Sequence, residues 1–310
     1  MNALVSVIIP NYNHSLFLKQ RIESVLNQSF QDFELIILDD CSTDESRNVI
    51  EQYRGNEKVA HIVYNEVNSG STFKQWKKGL GLATGKYVWV AESDDYADQF
   101  FLESSITVLE NDDSIGLIQS QSKEVNANNE VKGIWDNEQK VYNWNTDFKE
   151  NGEVFIKKGM LFSNPIVNAS AVVFRHSLLS EDIFDETFKL NGDWLIYTKI
   201  LKKSDFYNLG TPLNYFRQHG GKGSSGNIKN YNNIKEYAHI IDFIFHNLNL
   251  EAKDKDTVRY VFLVKWISQA NNKLGCLLKN KFADIAPIAF KNDYLFLFRL
   301  LKIYIRKSLS

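Results

Sequence analysis

The feature that most constrains the fold is a repeated alternation of short apolar runs with longer amphipathic segments in the first part of the chain. Runs rich in β-branched residues predict strands at 4–9, 34–38, 61–64, 87–91 and 115–119. The segments between them carry apolar residues at helical spacing. This order predicts an α/β fold, with a Rossmann-like, mostly parallel sheet flanked by helices.

The composition excludes several classes of protein. With 44% hydrophobic and 24% charged residues, the chain is typical of globular proteins rather than disordered or fibrous ones. The net charge of −2 predicts no nucleic-acid partner, because binding to phosphates requires an excess of basic residues. Two distant cysteines, Cys41 and Cys276, indicate neither a disulfide framework nor a zinc cluster. We expect a cytoplasmic protein, since the sequence shows no secretory signal and no apolar run of about 20 residues.

The 310 residues change character along the chain. Residues 1–230 are predicted to form one α/β domain, with a first half at about 1–121 and a second half at about 122–230. Within the second half, residues 122–151 are polar and predict an irregular surface excursion. From 231 to 310 helical patterns replace the alternation, and they predict a C-terminal helical extension.

The last part of this extension, at 294–307, mixes bulky apolar and basic residues. Such a helix can lie on an anionic membrane surface, which would make the protein peripheral on the inner face of the cell membrane. It can equally pack on the main domain or form the interface of a homodimer. The sequence leaves these alternatives open.

Polar residues follow three of the predicted strands directly, at 11–13, 39–40 and 94–95. Because the carboxyl ends of parallel strands meet at one edge of a sheet, these side chains are expected to line one crevice. The adjacent carboxylates of Asp94 and Asp95 repel each other unless a cation lies nearby. Mg²⁺ and Mn²⁺ take oxygen ligands and leave positions open for phosphate, so the pair indicates a metal site.

Each of these segments also has a purely structural interpretation. Asp94 and Asp95 could form a solvated acidic loop before the next helix. Asp40 could hydrogen-bond a base or ribose, whereas its neighbours could simply cap a helix. Tyr12 could stack on a nucleobase or sit half-buried in a turn.

Taken in order, the segments resemble family 2 glycosyltransferases with the GT-A fold, over about residues 4–220. The segments that carry the resemblance are VIIPNYN at 7–13, SVLNQSF at 24–30, FELIILDDCSTD at 33–44, NSG at 68–70, ATGKY at 83–87 and ESDD at 92–95. The resemblance implies a nucleoside-diphosphate sugar donor of the UDP or TDP type, and Mn²⁺ or Mg²⁺ as the cofactor.

By this resemblance, Tyr12 stacks on the base and Asp40 hydrogen-bonds the base or ribose. Asp95 is implied as the main metal ligand, whereas Glu92 stands where many members have Asp and is in doubt as a direct ligand. The implied donor-binding residues are Pro10, Tyr12, Asn13, Asp40, Asn68, Gly70 and Asp94.

The second half would supply the base and the acceptor pocket. Gly192-Asp193-Trp194 resembles the family's acidic motif, where many members have Glu-Asp, and only the general-base role of Asp193 carries over. A carboxylate within hydrogen-bond reach can take the proton of a sugar hydroxyl as the new bond forms. The alternative for Asp193 is capping of the helix that follows.

His219 is implied as a second metal ligand, although a lone histidine is also often structural. Neutral imidazole suits Mn²⁺ better than Mg²⁺. Asn168, Ser170 and Trp194 are implied on the acceptor side, and core packing is the alternative for Trp194. The loop at 220–226 could close over the donor or act as a linker.

Together these features predict an inverting, metal-dependent glycosyltransferase. The expected acceptor is a glycan or a lipid-linked oligosaccharide, in bacterial envelope polysaccharide synthesis. A nucleotidyltransferase that makes nucleotide sugars is an alternative, but the segment at 11–14 lacks the Gly-rich, basic loop that grips a triphosphate. A non-catalytic sugar-binding or nucleotide-binding module is a second alternative, which the retained Asp193, Asp94 and Asp95 disfavour.

Overall fold

The computed structural model describes residues 3–135, 141–166, 168–219 and 231–269, together with the single residues 285 and 298. Its strands are β1 Val5–Asn11, β2 Phe33–Asp39, β3 Val59–Tyr64, β4 Tyr87–Val90, β5 Tyr96–Ala97, β6 Ile115–Asn126, β7 Val131–Ile134, β8 Phe148–Glu150, β9 Val172–Arg175 and β10 Asp205–Gln218. Its α-helices are α1 Ser15–Leu26, α2 Ser46–Glu51, α3 Thr72–Leu80, α4 Phe101–Asn111, α5 Gly152–Phe155, α6 Gly192–Leu201, α7 Tyr231–Asn247 and α8 Ala252–Gln269.

One sheet joins the described strands in the order β3-β2-β1-β4-β9-β6-β10-β5, while β7 pairs with β6 and β8 pairs with β10. Strands β3, β2, β1 and β4 are parallel, as predicted. In the second half, β9 lies antiparallel between β4 and β6, and β6 pairs parallel with β10. The α/β fold with a large central sheet flanked by helices is therefore confirmed, with more antiparallel pairing than expected.

Each face of the sheet carries its own apolar core. Neighbouring residues of β1 enter different cores, because successive side chains of a strand point to opposite faces. Val7 joins the core formed with α1 and α4, and Ile8 joins the core formed with α3, α6 and α7. This double burial explains why the first strands are continuously apolar.

Strand β1 extends through Pro10 to Asn11, beyond the predicted end. Proline lacks an amide hydrogen and is tolerated only where no ladder partner is needed. Ile8 O accepts a hydrogen bond from Ala91 on the β4 side, and the pairing of β1 with β4 stops at Ile8. Since backbone groups alternate in direction, the Pro10 nitrogen faces the β4 side past the last pair, and no hydrogen bond is lost.

The expected irregular excursion at 122–151 is wrong for the end of β6 and for β7 and β8. Beyond the predicted strand at 115–119, β6 shows no continuous apolar run, because several of its buried side chains are polar. Gln119 Nε2 donates to Asn208 Oδ1 at 3.0 Å, and Asn214 Nδ2 donates to Ser122 Oγ at 3.0 Å. Side-chain hydrogen bonds between β6 and β10 thus replace apolar contacts along this strand pair.

Helices α7 and α8 continue the core that α6 begins. Trp194 of α6 stacks on Tyr237 of α7 at 5.1 Å between ring centroids, and Tyr237 in turn contacts Phe262 of α8 at 5.4 Å. Within the part of the chain that the structure describes, no helix combines the length and apolarity needed to cross a membrane. The predicted loop at 220–226 and all of the basic, aromatic segment at 294–307 except residue 298 lie outside the described residues.

Gly152→Ala is expected to destabilise the protein. A Cβ at Gly152 would lie under 3.0 Å from the carbonyl oxygens of Leu201 and Ser204 at the end of α6, so the backbone would have to move. Overpacking of this kind costs about 1 to 3 kcal/mol in the free energy of unfolding, which urea denaturation would measure. Gly133→Ala is the control, because no other described atom lies within 4 Å of the added Cβ. Equal urea midpoints for both variants would contradict the prediction.

Candidate active site

The polar ends of β1, β2 and β4 meet at one edge of the sheet. Asn13 N donates to Ser42 Oγ at 2.9 Å, which joins the ends of β1 and β2. His14 Nδ1 lies 2.8 Å from Ser93 Oγ, which joins the ends of β1 and β4. The predicted crevice therefore contains all three strand-end segments.

The loop after β1 presents an aromatic surface at this edge. Pro10 is buried in the strand, whereas the Tyr12 side chain is 45% exposed. Asn13 adopts a φ of 56°, a left-handed conformation that asparagine tolerates better than most residues. Asn13 Oδ1 accepts a hydrogen bond from Thr43 N at 2.8 Å, which holds this turn against the loop after β2. Tyr12 is thus accessible for stacking on a planar ligand.

Asp40 organises the loop that precedes α3. Its buried carboxylate accepts hydrogen bonds from Asn65 Nδ2 at 2.6 Å, from Ser69 N at 2.9 Å and Oγ at 2.7 Å, and from Gln75 Nε2 at 3.0 Å. Asn68 Nδ2 donates to the Asp40 carbonyl oxygen at 3.0 Å. Because protein donors already occupy both carboxylate oxygens, Asp40 shapes the wall of the crevice in this structure.

Asn68 and Gly70 form the exposed turn of that loop. Gly70 N donates to Asn68 Oδ1 at 2.8 Å, and Gly70 has a φ of 70°, which favours glycine. These two predicted donor-binding residues therefore lie at the rim of the crevice, next to the buried Asp40.

Asp94 and two histidines form a compact group at the end of β4. His219 Nε2 lies 3.0 Å from Asp94 Oδ2, and one potential ligand atom from each of His14, Asp94 and His219 lies within 4.8 Å of the other two. Two imidazoles and one carboxylate fit a transition-metal ion such as Mn²⁺. His14 was not predicted as a ligand, since a single histidine beside the Asn11–Asn13 segment carries no distinctive spacing.

Electrostatics favour the metal-binding form of two members of this group, Asp94 and His14. Although burial opposes ionisation, the hydrogen bond from His219 holds the pKa of Asp94 below its ordinary value. The hydrogen bond to Asp94 raises the pKa of His219, whereas burial lowers the pKa of His14. Asp94 is thus ionised at neutral pH, and His14 is in the neutral form that binds metals.

Asp95, predicted as the main metal ligand, bonds to other parts of the protein and lies outside the group of His14, Asp94 and His219. Its buried carboxylate accepts hydrogen bonds from Arg217 N and from Asn168 Nδ2, each at 2.8 Å. Burial and the neighbouring charge of Asp94 raise the pKa of Asp95 to about 7. Asp94 rather than Asp95 therefore faces the histidines, a difference that adjacent identical residues do not reveal in sequence.

Two buried arginines balance the carboxylates at the end of β4. Arg217 Nε donates to the Asp94 carbonyl oxygen at 2.7 Å, and Arg21 Nε donates to the Glu92 carbonyl oxygen at 2.8 Å. Burial lowers the pKa of Arg21 to about 10, so it stays cationic at neutral pH. Arg21 was not among the predicted site residues, because an arginine in an amphipathic helix normally indicates a surface position.

Glu92 points to the α3 side of the crevice. Its Oε1 accepts a hydrogen bond from Trp76 Nε1 at 2.8 Å. Burial and the charge of Asp94 raise the pKa of Glu92 to about 8. The doubt about Glu92 as a metal ligand therefore agrees with its position, since it is outside the His14–Asp94–His219 group.

Two of the predicted acceptor-binding residues lie inside the protein. Ser170 is 0% exposed, and its Oγ accepts a hydrogen bond from Glu92 N at 3.1 Å. Trp194 is 5% exposed and stacks on Tyr237 with its ring inclined by 26°. This corrects the acceptor contacts predicted for Ser170 and Trp194, because neither side chain offers a surface to a sugar. Asn168 bridges Asp95 and Asn214, and it also acts within the protein.

Asp193 lies in the first turn of α6 and does not occupy its N-cap position, which is Asn191. Asn164 Nδ2 donates to Asp193 Oδ2 at 3.1 Å. Burial raises the pKa of Asp193 to about 6, although backbone N–H groups of the helix oppose the rise. The neighbouring Gly192 packs on Phe73, Phe73 contacts Trp76, and Trp76 donates a hydrogen bond to Glu92, so the start of α6 lies on the Glu92 side of the crevice.

Gly192, where the family resemblance implied a glutamate in many members, packs closely against α3. A Cβ at Gly192 would lie 2.7 to 2.8 Å from three atoms of the Phe73 ring. Any larger residue would therefore displace Phe73, which packs against Trp76 at 5.3 Å. Glycine permits this close approach of α6 to α3.

The family model described as "Glycosyl transferase family 2" matches residues 6–168, which is more than half of the chain. The chain belongs to this family and is a glycosyltransferase. The match confirms the family resemblance and decides against the nucleotidyltransferase alternative.

Three curated proteins illustrate the range of similar sequences. An uncharacterized glycosyltransferase of Haemophilus influenzae is 29% identical over 225 residues, which cover 72% of this chain and 68% of that protein. The putative teichuronic acid biosynthesis glycosyltransferase TuaG of Bacillus subtilis is 45% identical over 92 residues, 30% of this chain and 36% of TuaG. The poly(ribitol-phosphate) β-N-acetylglucosaminyltransferase TarS of Staphylococcus aureus is 26% identical over 288 residues. That alignment covers 90% of this chain but only 47% of TarS, so the chain spans about half the length of this relative.

Solved structures confirm the predicted GT-A fold. The S. aureus TarS 1–349 complex with UDP-GlcNAc has a TM-score of 0.73 at 22% identity, with 98% of this chain and 92% of that one covered. The mannosyltransferase PcManGT of Pyrobaculum calidifontis, in complex with GDP-Man and Mn²⁺, has a TM-score of 0.57 at 15% identity. That alignment covers 100% of this chain and 87% of the PcManGT chain. At these identities the likeness establishes the fold alone.

Arg21→Met is expected to destabilise the metal-free protein, because it removes one of the two buried counter-charges of the carboxylates at the end of β4. Loss of one partner from a buried charged group costs about 3 kcal/mol or more. Lys19→Met is the control, since Lys19 is an exposed cation on the same helix. Thermal and urea unfolding of both variants would measure the difference.

The pH dependence of the free energy of unfolding should reflect the same balance between the carboxylates at the end of β4 and the buried arginines. The folded-state pKa values of Asp95 and Glu92, about 7 and about 8, lie above their ordinary values of 3.8 and 4.5. The folded protein therefore binds more protons in this window, and these groups' contribution to stability is lost as pH rises through it. Arg21→Met should steepen that loss between pH 5 and 8, and parallel curves for the variant and the wild type would contradict this expectation.

Proposed function

We propose that this chain is an inverting glycosyltransferase that moves a sugar from a UDP-sugar to a hydroxyl of a glycan or lipid-linked acceptor in bacterial envelope polysaccharide synthesis. The likeness to TarS, solved in complex with UDP-GlcNAc, supports the donor class, and the names of TarS and TuaG support an envelope polymer as the acceptor. The observation that carries the proposal is the position of Asp193 at the start of α6, which packs through Phe73 and Trp76 toward Glu92 at the end of β4.

Asp193 acts as the general base in this proposal. A carboxylate with a pKa near 6 is largely ionised at neutral pH and still accepts a proton more readily than an ordinary aspartate. The hydrogen bond from Asn164 orients the Asp193 carboxylate. Asp193 takes the proton of the acceptor hydroxyl as that oxygen attacks the anomeric carbon and the nucleoside diphosphate leaves from the opposite side. This single displacement inverts the anomeric configuration.

The donor would lie along the crevice at the ends of β1, β2 and β4. Tyr12 offers its exposed ring to the base, and Asn68 and Gly70 supply the rim next to Asp40. His14, Asp94 and His219 would hold a divalent cation. When bound, such a cation offsets the negative charge on the diphosphate leaving group. The two imidazoles favour Mn²⁺ over Mg²⁺ at this site.

Asp193→Asn tests the base. Because the amide cannot accept the proton, transfer should fall by about 10²- to 10⁴-fold, whereas donor affinity should stay within about twofold. Activity of the wild type should rise with pH through about pH 6, the pKa of Asp193, and then level off. Radiolabelled sugar transfer and calorimetric UDP binding are the two measurements. Glu186→Gln is the control, since Glu186 is an exposed carboxylate on the segment before α6. Near-normal transfer by Asp193→Asn would rule out this base.

Asp94→Asn and Asp95→Asn test the metal site as a matched pair of neighbouring carboxylates. Asp94→Asn and His14→Ala should each weaken Mn²⁺ binding by about tenfold or more, because each removes one ligand. Asp95→Asn should leave Mn²⁺ affinity close to that of the wild type, because Asp95 faces Arg217 and Asn168. Titration followed by the electron paramagnetic resonance signal of free Mn²⁺ measures these affinities without an activity assay. Loss of binding in Asp95→Asn alone would reverse the assignment.

A further inference from the structure

Glu236 of α7 binds the chain segment that leads into α6. Its side chain is 5% exposed. Oε1 accepts a hydrogen bond from Lys189 N at 2.8 Å, and Oε2 accepts from Leu190 N at 3.0 Å and from Asn191 N at 2.7 Å. A buried carboxylate is costly unless several donors satisfy it, and three successive backbone N–H groups do so here.

This contact takes the place of a local helix cap. Within the described part of the chain, the side chain of the N-cap residue Asn191 makes no hydrogen bond to the first turn of α6. Asn191 Nδ2 instead lies 3.0 Å from Asn233 Oδ1 of α7. The Glu236 carboxylate also places a negative charge near the positive end of the α6 dipole. A different helix therefore determines where α6 begins.

The next residue of α7 holds the other side of Asp193. Tyr237 stacks on Trp194, and its hydroxyl donates to the Leu161 carbonyl oxygen at 3.3 Å. Asp193 thus lies between Asn191 and Trp194, which Glu236 and Tyr237 hold respectively. Neither α7 nor Asp193 lies within the residues 6–168 that the family model matches.

We propose that Glu236 is a positioning residue for Asp193, through which α7 becomes part of the catalytic unit. The inference rests on the proposed function, since it takes Asp193 as the base. Glu236 touches no substrate in this scheme. It fixes the start of α6, and so the direction from which the Asp193 carboxylate meets the acceptor hydroxyl.

The charges around Asp193 give this role a specific readout. Glu236 faces Asp193 from α7, Tyr197 faces it from within α6, and Glu92 faces Tyr197 from the end of β4. The negative charge of Glu236 favours the protonated form of Asp193. Removal of that charge should therefore lower the pH at which Asp193 ionises.

Glu236→Gln in the full chain tests the proposal, with Asp242→Asn as the matched control. Asp242 is a carboxylate of the same helix that pairs with His246 instead. In Glu236→Gln, kcat should fall by about tenfold or more, because small displacements of a catalytic group are costly. UDP affinity should change by less than about twofold, and the acidic limb of the pH profile should move to lower pH. Asp242→Asn should match the wild type in all three measurements.

An unchanged kcat and an unchanged acidic limb in a folded Glu236→Gln variant would overturn the proposal. A lower kcat with an unchanged acidic limb would also overturn the proposal. That result would indicate that Glu236 supports the stability of the protein and not the position of the Asp193 carboxylate. If Glu236→Gln does not fold, Glu236→Asp keeps the charge with a shorter reach. The proposal then predicts that Glu236→Asp has a lower kcat than the wild type and an acidic limb of the pH profile close to that of the wild type. A kcat equal to that of the wild type would contradict the proposal.

Amide hydrogen exchange on the wild-type protein gives a test that needs no variant. The amides of Lys189, Leu190 and Asn191 should exchange slowly, as buried hydrogen-bonded groups do. If these three amides exchanged at the rate of exposed loop amides, the contact between Glu236 and the start of α6 would be refuted. Asp193→Asn separates this inference from the proposed function. If Asp193→Asn stays active, Asp193 is not the base and the proposed function fails. The contact of Glu236 with the start of α6 is judged separately, by protection of the three amides and by a lower kcat in Glu236→Gln.

Discussion

The candidate site depends on the balance between carboxylates at the end of β4 and two arginines buried beneath them. Asp94, Asp95 and Glu92 follow one strand, and their mutual repulsion would oppose folding without a counter-charge. Arg21 and Arg217 supply that charge from α1 and β10, by hydrogen bonds to backbone carbonyl groups rather than to the carboxylates. The arrangement leaves the Asp94 carboxylate oriented toward the histidines.

The second half of the chain places its functional groups through helix packing rather than through the sheet. Asp193 depends on where α6 begins, and that start is held by Glu236 of α7. Close contact between Gly192 and Phe73 brings the same helix against α3. The family match ends before α6 and α7, yet the contacts of these helices determine where the proposed base points.

Much of the first half could be predicted from local patterns. Continuous apolar runs indicated the parallel strands, because β1 and β2 are buried on both faces. The same reasoning predicted β6 only as far as Gln119, because the buried polar residues that follow, such as Ser122, are satisfied by side-chain hydrogen bonds and leave no apolar signal. The acceptor roles of Trp194 and Ser170 came from the family resemblance, and their burial within α6 and next to β9 is not visible from residue type.

The sequence by itself determined the α/β fold, the family, and the strand ends at which polar residues gather, since these depend on periodicity and on short motifs in a set order. Only the tertiary structure decided which of the two aspartates faces His219, that His14 joins them, and that Glu236 holds the start of α6. The physical reason is that each of these outcomes depends on side-chain direction and on contacts between distant segments. Adjacent residues of identical type can point in opposite directions, and local sequence does not encode which partner each one meets.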